Sequence, residues 1–302
     1  MSDVGYKTRE FELRNLLLYL LIAFGWSWLW WLLFTVGILK MPAGIGTPNV
    51  DLVSAGPIVI LVALTSFGPT IGSFTVTYIT EGKPGVKKLW KRFWSTNLGL
   101  RWFLGILLIL VILEGTPHLL TRILEGIKSE LVWMRNPLVI IGLIIANLIN
   151  GGLSEEFGWR GYALPRLQAR WDALTSSIIL GVIWAVWHFP LWFMLHGPRL
   201  FSHTLPSSGF IILTSVLFTW VFNNTNGSIL GAVLFHALGS VFSEMFPSNF
   251  IYEFTIRLVL VVLVVILYGS KNLTEKKYFM VQTINIELCL APYIGAEILL
   301  EY

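Results

Sequence analysis

Two adjacent carboxylates, Glu155 and Glu156, stand in the stretch GGLSEEFGWRGYALPRLQ at the end of a long apolar run. An ionisable side chain within a membrane span costs roughly 2.5–3.5 kcal/mol on insertion scales, so it is expected to be paired and is a candidate for function. Applied along the chain, that rule selects Glu155, Glu156, His188, His236 and Glu244, drawn from three separate apolar segments.

Glu156 and Arg160 are spaced i, i+4 with the acid N-terminal, the favourable orientation for a helical ion pair. Glu155 lies about 100° further round the same helix, so it faces a different partner and is free to act as a base. Gly151 and Gly152, one turn earlier, let a second helix backbone approach, and Asn147, Asn150 and Ser154 share a neighbouring face suited to a wet cavity. In GVIWAVWHFP, His188 follows Trp184 by one turn and precedes Pro190 by two residues. In NNTNGSILGAVLFHALGSVFSEMF, His236, Ser240 and Glu244 fall at i, i+4 and i+8, on one stripe. Taken singly, the acidic pair reads equally as the charged end of a span, and each histidine as a packing residue. The set drawn from separate helices is what points to chemistry.

Three chemistries use such a set. Glu155, His188 and His236 form a three-ligand site for zinc with an open position for water. Alternatively, Glu155 and His188 activate a water directly, while His236 and Ser240 stabilise the oxyanion of an amide addition intermediate. Thirdly, buried carboxylates and histidines make proton relays in transporters. The spacing alone does not separate these, although the absence of HExxH removes the single-helix zinc protease.

The elements that must position these residues follow from composition. Of 302 residues, 55% are hydrophobic and 13% charged, and the mean hydropathy is +0.73, a balance that predicts an all-α polytopic membrane protein. About eight spans are expected, at residues 16–39, 54–79, 102–120, 138–158, 174–195, 209–223, 228–246 and 250–268, the sixth being short. A single transmembrane domain thus covers residues 1–270, followed by a tail, 271–302, whose structure the pattern does not give. With the N-terminus inside, the cytoplasmic segments carry fifteen of the 21 basic residues, which favours both termini in the cytoplasm. The first apolar run has no small-residue cleavage site and reads as a retained span. The single cysteine, Cys289, has no partner for an intrachain disulfide. GKPGVKKLWKRFW alternates Lys87, Lys88, Lys91 and Arg92 with apolar residues and predicts a basic amphipathic helix at an anionic lipid surface, not a nucleic-acid site. The fourteen tryptophans read as belt and packing residues. If the fourth helix stopped at Arg160, Glu155 and His188 would differ in depth by about 15 Å. The helix must therefore continue, as far as Leu164, before Pro165 interrupts it.

EEFGWRGYALPRL resembles the EExxxR signature of the CPBP membrane proteins, the group that includes type II CAAX prenyl endopeptidases and bacteriocin-processing or self-immunity proteins. WAVWH matches the group's aromatic-xxx-His motif, and NGSILGAVLFHALGS resembles its third motif, with Ser240 where Asn is usual. The resemblance spans about residues 80–245, and the basic stretch before the third span is similar too. It implies an eight-helix fold with a cavity open towards the cytoplasm. Within it Glu155 would activate water with His188, Glu156 and Arg160 would support the site, and His236 would belong to the oxyanion or ligand set. A hydroxyl at Ser240 is shorter than a carboxamide, although it still donates a hydrogen bond. The expectation is an intramembrane endopeptidase of a prokaryotic plasma membrane, acting on a peptide or lipidated protein C-terminus. A divalent metal such as zinc is left open. The rivals are a non-enzymatic immunity or adaptor protein of the same fold and a proton-coupled transporter.

Overall fold

The computed structural model of the chain describes residues 3–39, 61, 63–94, 98–126, 137–196 and 200–274. Among these residues every regular element is a helix, which bears out the all-α reading. The helices are α1 (Asp3–Thr35), α2 (Gly68–Trp94), α3 (Gly99–Leu124), α4 (Leu138–Gln168), α5 (Ala173–Trp187), α6 (Phe189–His196), α7 (Leu200–Asn224), α8 (Ile229–Met245) and α9 (Phe250–Tyr268). Part of the second predicted span, Cys289 and nearly all of the tail lie outside the described residues.

Five helices are long and apolar enough to cross a membrane, or six if the bent pair α5 and α6 is one span, so the expected count of eight is not reached among the described residues. The chain is a multi-pass integral membrane protein. The sixth segment, taken as the shortest, is a full span over Thr204–Asn224. The seventh, α8, is the shorter one at 17 residues, bounded at its start by a turn at Asn226 and Gly227, both at positive φ, and by the Ser228 N-cap.

α2 bends at Gly82, whose φ of 66° only glycine adopts readily. Its last part is the expected basic helix, with Leu89 and Phe93 buried and Trp90 and Trp94 exposed. Phe157 of α4 stacks on Trp90 at 5.7 Å and on Phe93 at 5.5 Å, tying this helix to the carboxylate-bearing one.

α4 continues past Arg160, as the shared depth of the two motifs requires, but Pro165 does not end it. A π-helical turn over Trp159–Ala163 leaves Pro165 in the first turn of a new α segment, Leu164–Gln168, where a missing N–H costs little. Glu155 is thirteen residues before the end of α4 and His188 fifteen after the start of α5, so each lies about 20 Å from the turn that joins the two helices. Lys271 and Ser270 carbonyls accept from Ala173 N and Leu174 N, pinning the start of α5.

Candidate functional site

α4, α5, α7 and α8 meet around the buried carboxylates. Glu156 and Arg160 have no solvent exposure, and Arg160 donates from one nitrogen to both Glu156 oxygens at 3.0 and 3.1 Å. The guanidinium lies 3.9 Å from the Phe218 ring centre and 4.7 Å from that of Trp184, so aromatic faces supply much of its solvation. His236 Nδ1 is 2.7 Å from Glu156 Oε1, a pairing between helices that the spacing of either motif does not reveal.

Glu155 faces other partners, as its angular offset predicts. Its Oε2 accepts from the indole nitrogens of Trp159 at 3.0 Å and Trp184 at 2.6 Å. The carboxylate is therefore held, not free, and two of the tryptophans taken as packing residues are its hydrogen-bond donors. Glu155 and Glu156 are both buried, at 4% and 0% exposure, and neither lines the cavity that His188 and His236 share.

His188 sits at the 40° bend between α5 and α6, just before Pro190. Its Nδ1 is 2.9 Å from the Trp184 carbonyl oxygen. A carbonyl only accepts, so Nδ1 carries the proton, and in the neutral form of the ring Nε2 presents its lone pair. Trp192 stacks on the ring at 5.7 Å. Trp184 joins the parts of the site: its N–H is on Glu155, and its ring lies 5.9 Å from His188 and 5.7 Å from His236.

The close approach anticipated from the glycine pair is present. A Cβ on Gly151 would stand 2.9 Å from His236 Nε2, and one on Gly152 would stand 2.9 Å from the Val233 carbonyl oxygen. His188, His236, Ser240 and Glu244 line one cavity of about 390 Å³, so the stripe along α8 is confirmed. Of the three polar residues assigned to the neighbouring face, only Asn147 lines it. Asn150 accepts from Ser66, and Ser154 is buried with its hydroxyl on the Gly151 carbonyl.

The zinc reading finds no ligand set. Among the described residues no group of three His, Cys, Asp or Glu side chains is placed to hold a metal ion. Glu155 Oε2 is engaged by two indoles, while the Nδ1 of each histidine is turned onto Glu156 or a backbone carbonyl, which leaves Nε2 as the ring atom that faces a ligand.

Two further charged residues line the cavity, Glu114 of α3 and Arg257 of α9, which form an ion pair through Arg257 NH2 and Glu114 Oε1. Sequence reading missed both. The signal was present, since each is an ionisable residue in an apolar span (VILEGTPHLL and FTIRLVLVV).

A family model described as "Type II CAAX prenyl endopeptidase Rce1-like" matches residues 137–242. Over this stretch, about a third of its length, the chain is similar to the Rce1-like family. Over 138 residues it is 33% identical to a CAAX prenyl protease 2 of Methanococcus maripaludis, covering 40% of this chain and 48% of that protein. The chain thus spans about half the length of the curated relative it matches. The Rce1-like core contains Glu155, Glu156, Arg160, His188, His236 and Ser240, whereas Glu114 and Arg257 fall outside it.

Proposed function

We propose that the chain is an intramembrane endopeptidase in which Glu155 and His188 activate a water for attack on a peptide carbonyl. The observation that carries the reading is the shared cavity: both histidines and Ser240 line it, and Trp184 links Glu155 to both rings. Glu155, bonded to the cavity-lining Trp184, takes the proton of the attacking water. His188 orients that water through Nε2, its tautomer being set by the Trp184 carbonyl. His236, fixed through Nδ1 by Glu156, and Ser240, one turn on, face the oxygen that becomes negative as the carbonyl is attacked. When protonated on both nitrogens, His236 donates from Nε2 to that oxygen; Ser240 donates its hydroxyl. Glu156 and Arg160 act through His236 and do not touch the reacting atoms.

The names of the family and of the Methanococcus maripaludis relative support a peptide or prenylated protein C-terminus as substrate. The distribution of basic residues supports a cytoplasmic location for both termini, with the Lys87–Trp94 helix on an anionic lipid surface.

The test is hydrolysis of fluorescence-quenched peptides, prenylated C-terminal peptides among them, by the purified full chain in detergent. Glu155→Gln is expected to lower kcat/KM by roughly 10²–10⁴ with the fold intact, and a chelator to leave the parent's rate unchanged. Equal rates for mutant and parent would overturn the assignment of Glu155, and reversible loss with the chelator would return the metal-ligand reading.

A further inference from the structure

A second cleft opens at the end of the bundle where α7 turns into α8, and it shares no residue with the histidine-lined cavity. Its walls are the start of α3, the end of α7 and the end of α9, and its volume is about 710 Å³, within the roughly 300–1,000 Å³ of small-molecule sites. The basic part of α2 reaches the same end: an Arg92 nitrogen is 3.9 Å from a Cβ placed on Gly227 of the α7–α8 turn. The exposed Lys87, Lys88 and Lys91 belong to that helix, so the cleft lies on the side of the bundle that the basic face marks.

The mouth of the cleft presents donors without acceptors. Gly99, Leu100 and Arg101 line it with the first turn of α3, whose backbone N–H groups have no intrahelical acceptor and no capping side chain. Arg101 is exposed and, among the described residues, has no ion pair or hydrogen bond. Trp220 of α7 is only 9% exposed, and its indole N–H is buried without a hydrogen-bond partner. By contrast, Asn224 and Thr225, which also line the cleft, donate to backbone carbonyls. No acidic side chain lines the cleft among the described residues. A guanidinium, a helix N-terminus and an indole N–H all call for an anion.

Behind the mouth the cleft is apolar. Gly105 and Ile109 continue the wall along α3, and Arg101 and Ile109 stand eight residues, about 12 Å, apart on it. Trp220 packs against Trp102 at 5.4 Å and Tyr268 at 5.6 Å, an aromatic set of the kind found at headgroup level. Leu100 lines the cleft and is 70% exposed, and Leu104 and Leu108 are exposed beside it, so the groove opens on the face that α3 turns to lipid.

We propose that this cleft binds one anionic phospholipid, its phosphate held at the first turn of α3 by Arg101 and the Trp220 N–H, and an acyl chain laid along Gly105 and Ile109. The recognised group is a phosphate ester. A free phosphate carries the same charge but leaves about 12 Å of apolar groove unfilled, which selects the lipid as occupant. The basic face of α2 attracts any anionic surface, whereas this cleft holds a single molecule in a fixed place. The site does not depend on the peptidase reading.

The experiment counts lipids retained by the full chain in detergent by native mass spectrometry, with thermal unfolding as a second readout. The probes are phosphatidylglycerol, phosphatidylcholine and diacylglycerol of the same acyl chains, and inorganic phosphate. The parent is expected to hold one phosphatidylglycerol roughly tenfold or more tightly than either other lipid, and inorganic phosphate to leave Tm unchanged. Arg101→Gln is expected to lose the headgroup preference. Gly105→Leu places its Cβ 3.9 Å from Trp102 and near nothing else, so it should fill the groove and lose the tight lipid while the lipid-free Tm is kept. Lys87→Gln/Lys88→Gln/Lys91→Gln is expected to retain the lipid. Equal retention of phosphatidylglycerol and phosphatidylcholine by the parent, an undiminished preference in Arg101→Gln, or an undiminished tight lipid in Gly105→Leu would overturn the proposal. Loss of the lipid in the triple lysine variant would overturn it too, by making the attraction one of surface charge. A Tm rise with inorganic phosphate equal to that with phosphatidylglycerol would make the cleft a site for free phosphate and likewise sink the lipid.

Discussion

The interior holds two buried ion pairs that differ in how they are built. Glu156 and Arg160 pair across one helical turn, with the guanidinium between the Phe218 and Trp184 rings and the carboxylate also touching His236. Glu114 and Arg257 join two helices across 143 residues of chain and line the cavity, and in both pairs the arginine keeps buried nitrogens without a hydrogen-bond partner. A local pair gains its geometry from the helix that carries it, and so can be sealed from water and used to hold a histidine still. A long-range pair forms only if two helices dock correctly, and this one faces the cavity, where the local pair does not.

Removing the cation of the local pair should give the largest effect. Arg160→Met strands Glu156 in a site without solvent exposure, and breaking a buried pair from one side costs about 3–5 kcal/mol. Thermal unfolding in detergent should show the loss, and Arg160→Met/Glu156→Gln should recover most of it. An unchanged Tm in the single variant would mean that Glu156 is not dependent on Arg160, and would erase the contrast between the pairs.

Next in size is Trp184→Phe, which keeps an aromatic ring against His188, His236 and Arg160 but deletes the N–H that bonds Glu155 at 2.6 Å. A hydrogen bond to a charged group is worth about 1.5–3 kcal/mol, so kcat should fall at least tenfold. KM should move little if the indole positions Glu155 and does not bind substrate. A change confined to KM would move Trp184 from the carboxylate's support to the substrate's surface.

These two residues also mark where sequence reading succeeds. The Glu156–Arg160 pair, the offset of Glu155 and the stripe His236–Ser240–Glu244 all follow from the 3.6-residue helical period, and all three are present. The common depth of Glu155 and His188 was legible as a requirement on α4. The means of meeting it was not, because the π-helical turn that carries α4 past Pro165 leaves no mark in a hydropathy pattern. Contacts between helices were equally hidden: nothing in the local sequence says that Trp184 reaches back 29 residues to Glu155, or that His236 turns its Nδ1 to Glu156. Glu114 and Arg257 were within reach of the same burial rule that found Glu155. Each even has a titratable residue at i, i+4, His118 after Glu114 and Glu253 before Arg257, but the contact that makes them a pair spans 143 residues and leaves no local pattern.

The smallest predicted effect asks whether the local pair and the distant histidine depend on one close approach. Gly152 of α4 faces the Val233 carbonyl oxygen of α8, and an added Cβ would meet that oxygen at 2.9 Å. Backbone cannot swing aside as a flexible side chain does, so Gly152→Ala must push α8 outward and carry His236 away from Glu156. Overpacking of this kind costs about 1–3 kcal/mol, and here kcat should fall together with Tm. Gly142 lies on the same helix with nothing within 4 Å of its added Cβ, so Gly142→Ala should be neutral or stabilise by up to about 1 kcal/mol. A fall at Gly152 without one at Gly142 ties the Glu156–His236 contact to the spacing of two helices. Matching behaviour at the two glycines would mean that α8 is held in place by other contacts and that His236 reaches Glu156 with room to spare.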